Sequence, residues 1–320
     1  MIRLFIEFRM VWLIFGPLFV LFFNLLNYYF NAYSADEFIN LGFLGLFKLS
    51  NWVSVLISSL LIIFNANLLS SVFNKNDFHD KTIYSTGFTY IVMMSLFHSF
   101  YNLNNLLLIQ TLLILVFRQL LLLKQQESED QKYVFNGSFF LGIGICIHSS
   151  LILYLIVFLF SIWNIKSFSF RDLIIMLTGI IVPFIFVGGF YFLNNKTISL
   201  DFFRALSTWK LIVFDMLFVL IILSFITVIA FASFRSNAIK STLRLRKMMF
   251  PVWGFLFLGL LFGIYDFVFY YQIDRFILML VTLPILVNYS YINRTFNLFS
   301  GILFFIALGY SFFKFFTVLA

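Results

Sequence analysis

Few side chains in this sequence can do chemistry, and they fall at particular places. Asp36 and Glu37 stand side by side in NAYSADEFINLGFLGLFKLSNW, His98 follows MMSLF, His148 ends GSFFLGIGICI, and Asp215 lies near the start of an apolar run. Asp266 and Asp274 flank FVFYYQI. Ionisable groups at bilayer depth are costly and mark functional sites by default. Two histidines and several carboxylates gathered near one leaflet would suit chemistry on a lipid-anchored substrate whose headgroup faces that side. Each residue also has a plainer reading. The acidic pair is then simply solvated, and His148 hydrogen-bonds carbonyls freed by a turn at Ser149 and Ser150. Asp215 would snorkel, or pair with Lys210 or Arg204. His79 with Asp77 and Asp80 makes a poor metal cage beside two lysines. No nucleophile elbow, phosphate loop or HExxH is present, and Cys146 stands alone, so no disulfide framework forms within one chain.

The elements that position these residues follow from composition. Of 320 residues, 62% are hydrophobic, 22% aromatic and only 11% charged. A soluble domain of this size has no way to hide so much apolar surface, so the solvent is lipid. A β-barrel would show short alternating segments, whereas these apolar runs are about 18 to 25 residues long, the length of membrane helices. The net charge of +8 gathers in no basic domain, so nucleic acid is excluded as a partner and the bilayer is the partner expected. The excess reads as topology. The N-terminal MIRLFIEFRMVWLIF shows basic residues before an apolar run with no small-residue cleavage site, as a retained first span does.

The pattern predicts spans at 10–33, 50–73, 83–101, 104–123, 172–193, 211–234, 250–266, 275–290 and 297–318. Between the fourth and fifth lies 136–163, too long for one crossing and carrying His148 near its middle. Read as a single span, it leaves 12 of the 21 Lys and Arg on the N-terminal side; read as a hairpin turning at His148, it leaves 15. Basic residues collect on the cytoplasmic side, so the hairpin is preferred and NIKSFSFR returns to the N-terminal side. The expectation is an all-α polytopic protein of about 11 membrane segments, with one integral membrane domain over 1–320 and no soluble domain. The N-terminus is cytoplasmic. SLDFFRALSTW is expected to lie along the interface, and Gly142 and Gly144 to press the hairpin against a neighbouring helix. No midplane charge and no pair of broken helices is evident, which argues against a transporter.

Two resemblances add to this reading. NNLLLIQTLLILVFRQLLLLKQ followed by KYVFNGSFFLGIGICIHSSLILYLIVFLFSIW resembles the uncharacterised Bacteroidota membrane protein family DUF6427, over roughly residues 60 to 190; where that family has two arginines, this chain reads Arg118-Gln119. The resemblance implies the bacterial inner membrane. The order of first span, acidic exterior loop, two hairpins, basic turn and a glycine-bearing hairpin ending in His148 resembles the GT-C glycosyltransferases. That likeness implies a GT-C-like helical bundle and transfer from a polyprenyl-phosphate-linked sugar. Asp36 or Glu37 would then be the general base toward an acceptor hydroxyl, or a ligand for a divalent metal ion at the phosphate. His148, with His98 and Asp215 at the same depth, would face the lipid phosphate. The competing expectation is a non-catalytic scaffold or subunit of an envelope assembly, since fold and function are separable.

Overall fold

The computed structural model describes residues 9–30, 33, 38–40, 46–76, 78, 83–123, 127–166, 169–193, 213–238, 243–292 and 296–319. Helices α1 (Arg9–Phe30) and α2 (Asn51–Lys75) are joined through two short antiparallel strands, β1 (Phe38–Asn40) and β2 (Leu46–Lys48), with Phe38 opposite Lys48. There follow α3 (Ser85–Met94), α4 (Asn105–Leu121), α5 (Glu127–Ile147), α6 (Ile152–Ile165), α7 (Phe170–Leu193), α8 (Val213–Ala238) and α9 (Leu243–Tyr270). A 3-10 helix (Asp274–Val281) leads into α10 (Leu283–Ile292), and α11 (Asn297–Leu319) closes the order. In lipid each backbone polar group must find an internal partner, which helices supply along their own length.

Among the described residues, five helices are long and apolar enough to cross a bilayer: Asn51–Lys75, Phe170–Leu193, Phe214–Phe234, Leu245–Tyr270 and Asn297–Phe315. The chain is therefore an all-α, multi-pass membrane protein. Among the described residues, crossing-length helices are fewer than the apolar runs suggested, because Asn105–Leu121 and Ser149–Ile165 are shorter and two runs are not single helices at all. The run 83–101 stops being α-helical at Met94 and continues through a 3-10 turn at His98–Phe100. The run 275–290 is a 3-10 helix followed by a separate α-helix. Conversely, polar stretches outside the predicted spans are helical: Glu127–Lys132 begins α5, residues 235–238 end α8 and 243–247 begin α9. Lys, Arg, Glu and Gln are good helix formers, so charge marked the ends of spans without breaking the helices.

Close approaches give the directions. Gly144 lies beside Leu151 and Gly137 beside Phe158, so α5 and α6 run antiparallel and the backbone reverses at His148. Ser138 meets Gly179, Gly142 meets Pro183, and Cys146 packs with Val187. The offset is 41 residues each time (138 to 179, 142 to 183, 146 to 187), so α5 and α7 run parallel with α6 returning between them in sequence. A Cβ on Gly142 would sit 3.0 Å from the Ile180 carbonyl oxygen, and one on Gly179 2.9 Å from that of Phe135. Only glycine lets these backbones come so near, and in lipid such packing replaces the hydrophobic drive. Ser169 and Asp172 cap α7 reciprocally: each backbone N–H donates to the other's side chain at 3.3 Å, a capping box.

The second half is assembled the same way. Asn164 donates to the Lys247 carbonyl at 3.3 Å and Gly254 lies against Val157, so α9 runs antiparallel to α6. After a turn in which Tyr271 takes a φ of 53°, the 3-10 helix folds back along α9, with Phe276 against Gly263 and Met279 against Gly259. These directions bring Arg118, Lys132, Lys166, Arg171 and Lys247 to one end of the bundle, together with Lys75. His98, His148, Asp215, Asp266, Arg275 and Lys314 gather at the other.

Candidate functional site

The end bearing the two histidines holds a buried ionic band. Its first part is built at the break after α3. There the chain leaves helical geometry at Ser95, and Leu96 keeps a carbonyl that no helix turn uses. Lys314, from α11, reaches across and donates its Nζ to that oxygen at 2.8 Å. An ammonium thus sits at the negative end of a half-length helix, where a cation is favoured. Lys314 is only 1% exposed and lies within electrostatic reach of both Asp215 and Asp274. Asp215, at the start of α8, accepts a hydrogen bond from the Tyr310 hydroxyl at 2.7 Å. Lys210 and Arg204, its partners by sequence proximity, lie outside the described residues. His98 is buried beside the Tyr33 ring, whose centroid is 5.7 Å away.

Asp36 and Glu37 also lie outside the described residues, but the root of their loop is described. Tyr33 receives a hydrogen bond from Asn102 at its carbonyl (2.7 Å), and its backbone N–H donates to Asn27 at 2.7 Å. Its ring stacks on Tyr101 at 4.2 Å and 8°. Tyr33, three residues before Asp36, is therefore fixed against His98 and Tyr101.

The second part is built at the hairpin tip. His148 has extended backbone and precedes the 3-10 turn Ser149–Leu151. Its Nδ1 lies 2.6 Å from Ser150 Oγ, and its Nε2 lies 3.4 Å from an Arg275 guanidinium nitrogen. Nδ1 also accepts the Ser150 backbone N–H at 3.3 Å, so the imidazole caps the 3-10 turn. Arg275 also pairs with Asp266 at 2.8 Å, both almost completely buried. The carboxylate comes from α9 and the guanidinium from the 3-10 helix, so the fold-back at Tyr271 makes the pair.

Of the residues singled out by sequence, His148, Asp266 and Asp274 meet around Arg275, while His98 and Asp215 meet around Lys314. Sequence reasoning passed over both cations. Lys314 had a legible signal, a lysine inside LGYSFFKFF; Arg275 was read as the edge of a span. The structure also shows what the sequence did not, two discontinuous segments side by side: Ser85 of α3 donates to Asn288 of α10 at 2.8 Å, and Asn288 donates in turn to Thr86. Gln110 of α4 secures the 3-10 half by donating to the Ile277 carbonyl at 2.9 Å. Among the described residues no group of three or more His, Cys, Asp or Glu is placed to hold a metal ion. Chemically, the band offers two cations and two imidazoles to an anionic headgroup, balanced by three carboxylates. Compared with known proteins, the chain matches no family model, no curated protein and no solved structure.

Proposed function

We propose that this chain is an inner-membrane protein of GT-C-like architecture, related to the DUF6427 proteins, that acts on a polyprenyl-phosphate-linked sugar at the periplasmic face. In this reading about eleven segments alternate across the bilayer, the two discontinuous ones counting as one segment each and α5, α6 and α7 as three. The collection of Arg118, Lys132, Lys166, Arg171 and Lys247 at one end supports placing that end in the cytoplasm. Asp36 or Glu37 takes the proton of an acceptor hydroxyl, and His148, His98 and Asp215 lie toward the lipid phosphate with Arg275 and Lys314 behind them.

The observation that carries this reading is the anchoring of Tyr33, three residues before Asp36, against His98 at the same end as Lys314 and Asp215. An acidic pair three and four residues beyond that anchor, at an end of the bundle that also carries Lys314 and Arg275, suits a substrate that is a lipid phosphate on one side and a sugar on the other. The test uses purified protein in nanodiscs with a polyprenyl-phosphate sugar and a sugar alcohol whose hydroxyl accepts the transferred sugar. Release of polyprenyl phosphate is expected from the native chain and is lost in the Asp36→Asn, Glu37→Gln double variant, which still inserts and binds the donor. Unaltered release by the double variant removes the proposal.

A second reading, a non-catalytic scaffold of an envelope assembly, draws on the 1% exposure of both Arg275 and Lys314, which ties the helices of the band together. It predicts no donor turnover by the native chain and co-purifying proteins in fixed stoichiometry.

A further inference from the structure

At the opposite end, one face of α2 changes character along its length. Leu56, Leu60 and Phe64 are exposed apolar residues on a lipid-facing stripe. The same stripe continues, at helical spacing, as Asn67, Ser71 and Lys75. Asn67 and Lys75 are exposed and Ser71 half-buried. At 1.5 Å per residue this polar file reaches ~12 Å into the membrane from Lys75. Its neighbours on α2 are already used: Ser70 accepts from the Gly87 backbone at 3.0 Å, and Asn74 makes two hydrogen bonds to the Ile83 backbone at 2.8 and 2.9 Å. Asn67 and Ser71 have no hydrogen-bond partner among the described residues.

The file borders a cavity of about 230 Å³ between α1, α2 and α3, with Ile63, Phe88 and Ile91 on its apolar side. Pro17 of α1 also lines it, and a proline inside a helix removes one rung of the hydrogen-bond ladder and opens it locally. Opposite, Gly87 brings α3 so close to α2 that a Cβ there would sit 2.7 Å from the Ala66 carbonyl oxygen. The cavity is smaller than the roughly 300 Å³ at which pockets for soluble drug-sized ligands begin, and exposed apolar side chains such as Leu60 and Phe64 flank the same face. What reaches it comes from the bilayer.

We infer that this groove is a binding site for a phosphate-bearing lipid, with the phosphate at Lys75, the linkage oxygens at Ser71 and Asn67, and the chain against Ile63, Phe88 and Ile91. An amide and a hydroxyl facing hydrocarbon are costly without partners; a headgroup drawn down this face supplies them, and the lysine at the interface selects an anion. The site lies at the end opposite the ionic band and is independent of the sugar-transfer reading.

The experiment is lipid binding to the full chain, delipidated in detergent and followed by native mass spectrometry, with phosphatidylglycerol, a polyprenyl phosphate and diacylglycerol as probes. One phosphate-bearing lipid per chain is expected to survive activation, and diacylglycerol to be lost. Lys75→Gln should weaken retention about tenfold, and Asn67→Leu with Ser71→Leu should abolish it while thermal unfolding stays that of the native chain. Equal retention of both phosphate lipids identifies the source as bulk phospholipid; retention of polyprenyl phosphate alone identifies a carrier lipid. Retention of diacylglycerol equal to phosphatidylglycerol, or unchanged retention by the leucine double variant, overturns the inference. So does loss of native-chain binding to all three.

Discussion

Removing the Arg275 guanidinium tests whether the fold-back after α9 is held by charge. Arg275 and Asp266 lie 2.8 Å apart with side chains 1% and 2% exposed, so neither charge has water to fall back on. Coulomb attraction and desolvation nearly cancel for such a pair, but deleting one partner leaves the full desolvation penalty of the other. Arg275→Met should therefore destabilise by about 3–5 kcal/mol. Asp274 makes it the harsher single change, because that carboxylate also acts on Asp266 and no cation then offsets the repulsion. Asp266→Asn should cost less, since a neutral amide can still accept from the guanidinium. Asp266→Leu combined with Arg275→Met should recover most of the loss, to within ~1–2 kcal/mol of the native chain, since burying apolar side chains in place of a buried pair is close to neutral. Unfolding in mixed micelles of the native chain, Arg275→Met, Asp266→Leu and the Asp266→Leu, Arg275→Met double variant, followed by tryptophan fluorescence, gives the four corners of the cycle. Single losses below about 1 kcal/mol, the value of an exposed pair, would refute the reasoning, and so would a double-variant loss equal to the sum of its parts.

Three further outcomes follow. With Cys146 replaced by Ser, a cysteine at Lys132 and one at Arg171, both exposed, should label from the same side of the membrane; labelling from opposite sides would contradict the reversal at His148. Gly179→Leu should separate α5 from α7 and cost about 1–3 kcal/mol, as overpacking does, whereas Gly188→Leu, with nothing near its Cβ position, should be silent in the same unfolding assay. Lys314→Met should leave the Leu96 carbonyl without its donor at a cost of about 1–3 kcal/mol, read as faster backbone hydrogen exchange over residues 95–104.

Much of the architecture was legible because lipid imposes it. Apolar runs and the uneven distribution of Lys and Arg lead to helices, and to the reversal at His148, without any knowledge of contacts. The breaks were not legible. MMSLFHSF and DRFILMLV are mostly apolar and carry no glycine or proline to mark a break, and their irregular geometry is stabilised by groups distant in sequence: Lys314 for Leu96, Gln110 for Ile277. The ionic band was half legible. His98, His148, Asp215, Asp266 and Asp274 stand out by type, yet their partners depend on which helices become neighbours. The charge opposite Asp266 is only nine positions along the chain, but the two meet because Tyr271 turns the backbone and not because of spacing. The acidic pair at Asp36 and Glu37 lies outside the described residues, and only its footing at Tyr33 can be compared with expectation.

The brevity of α6 has a consequence for the surrounding bilayer. Its 14 residues make a rod of ~21 Å, set against a hydrocarbon thickness of about 30 Å. Ile152, Ile156, Phe160 and Trp163 are exposed along it, so it touches lipid over its whole length and does not hide inside the bundle. With α6 as one of the eleven proposed segments, acyl chains alongside would shorten by several ångströms, at a fraction of a kcal/mol for each. The membrane would then dimple on this flank. Thin bilayers, and neighbours that share the same mismatch, will be drawn to it.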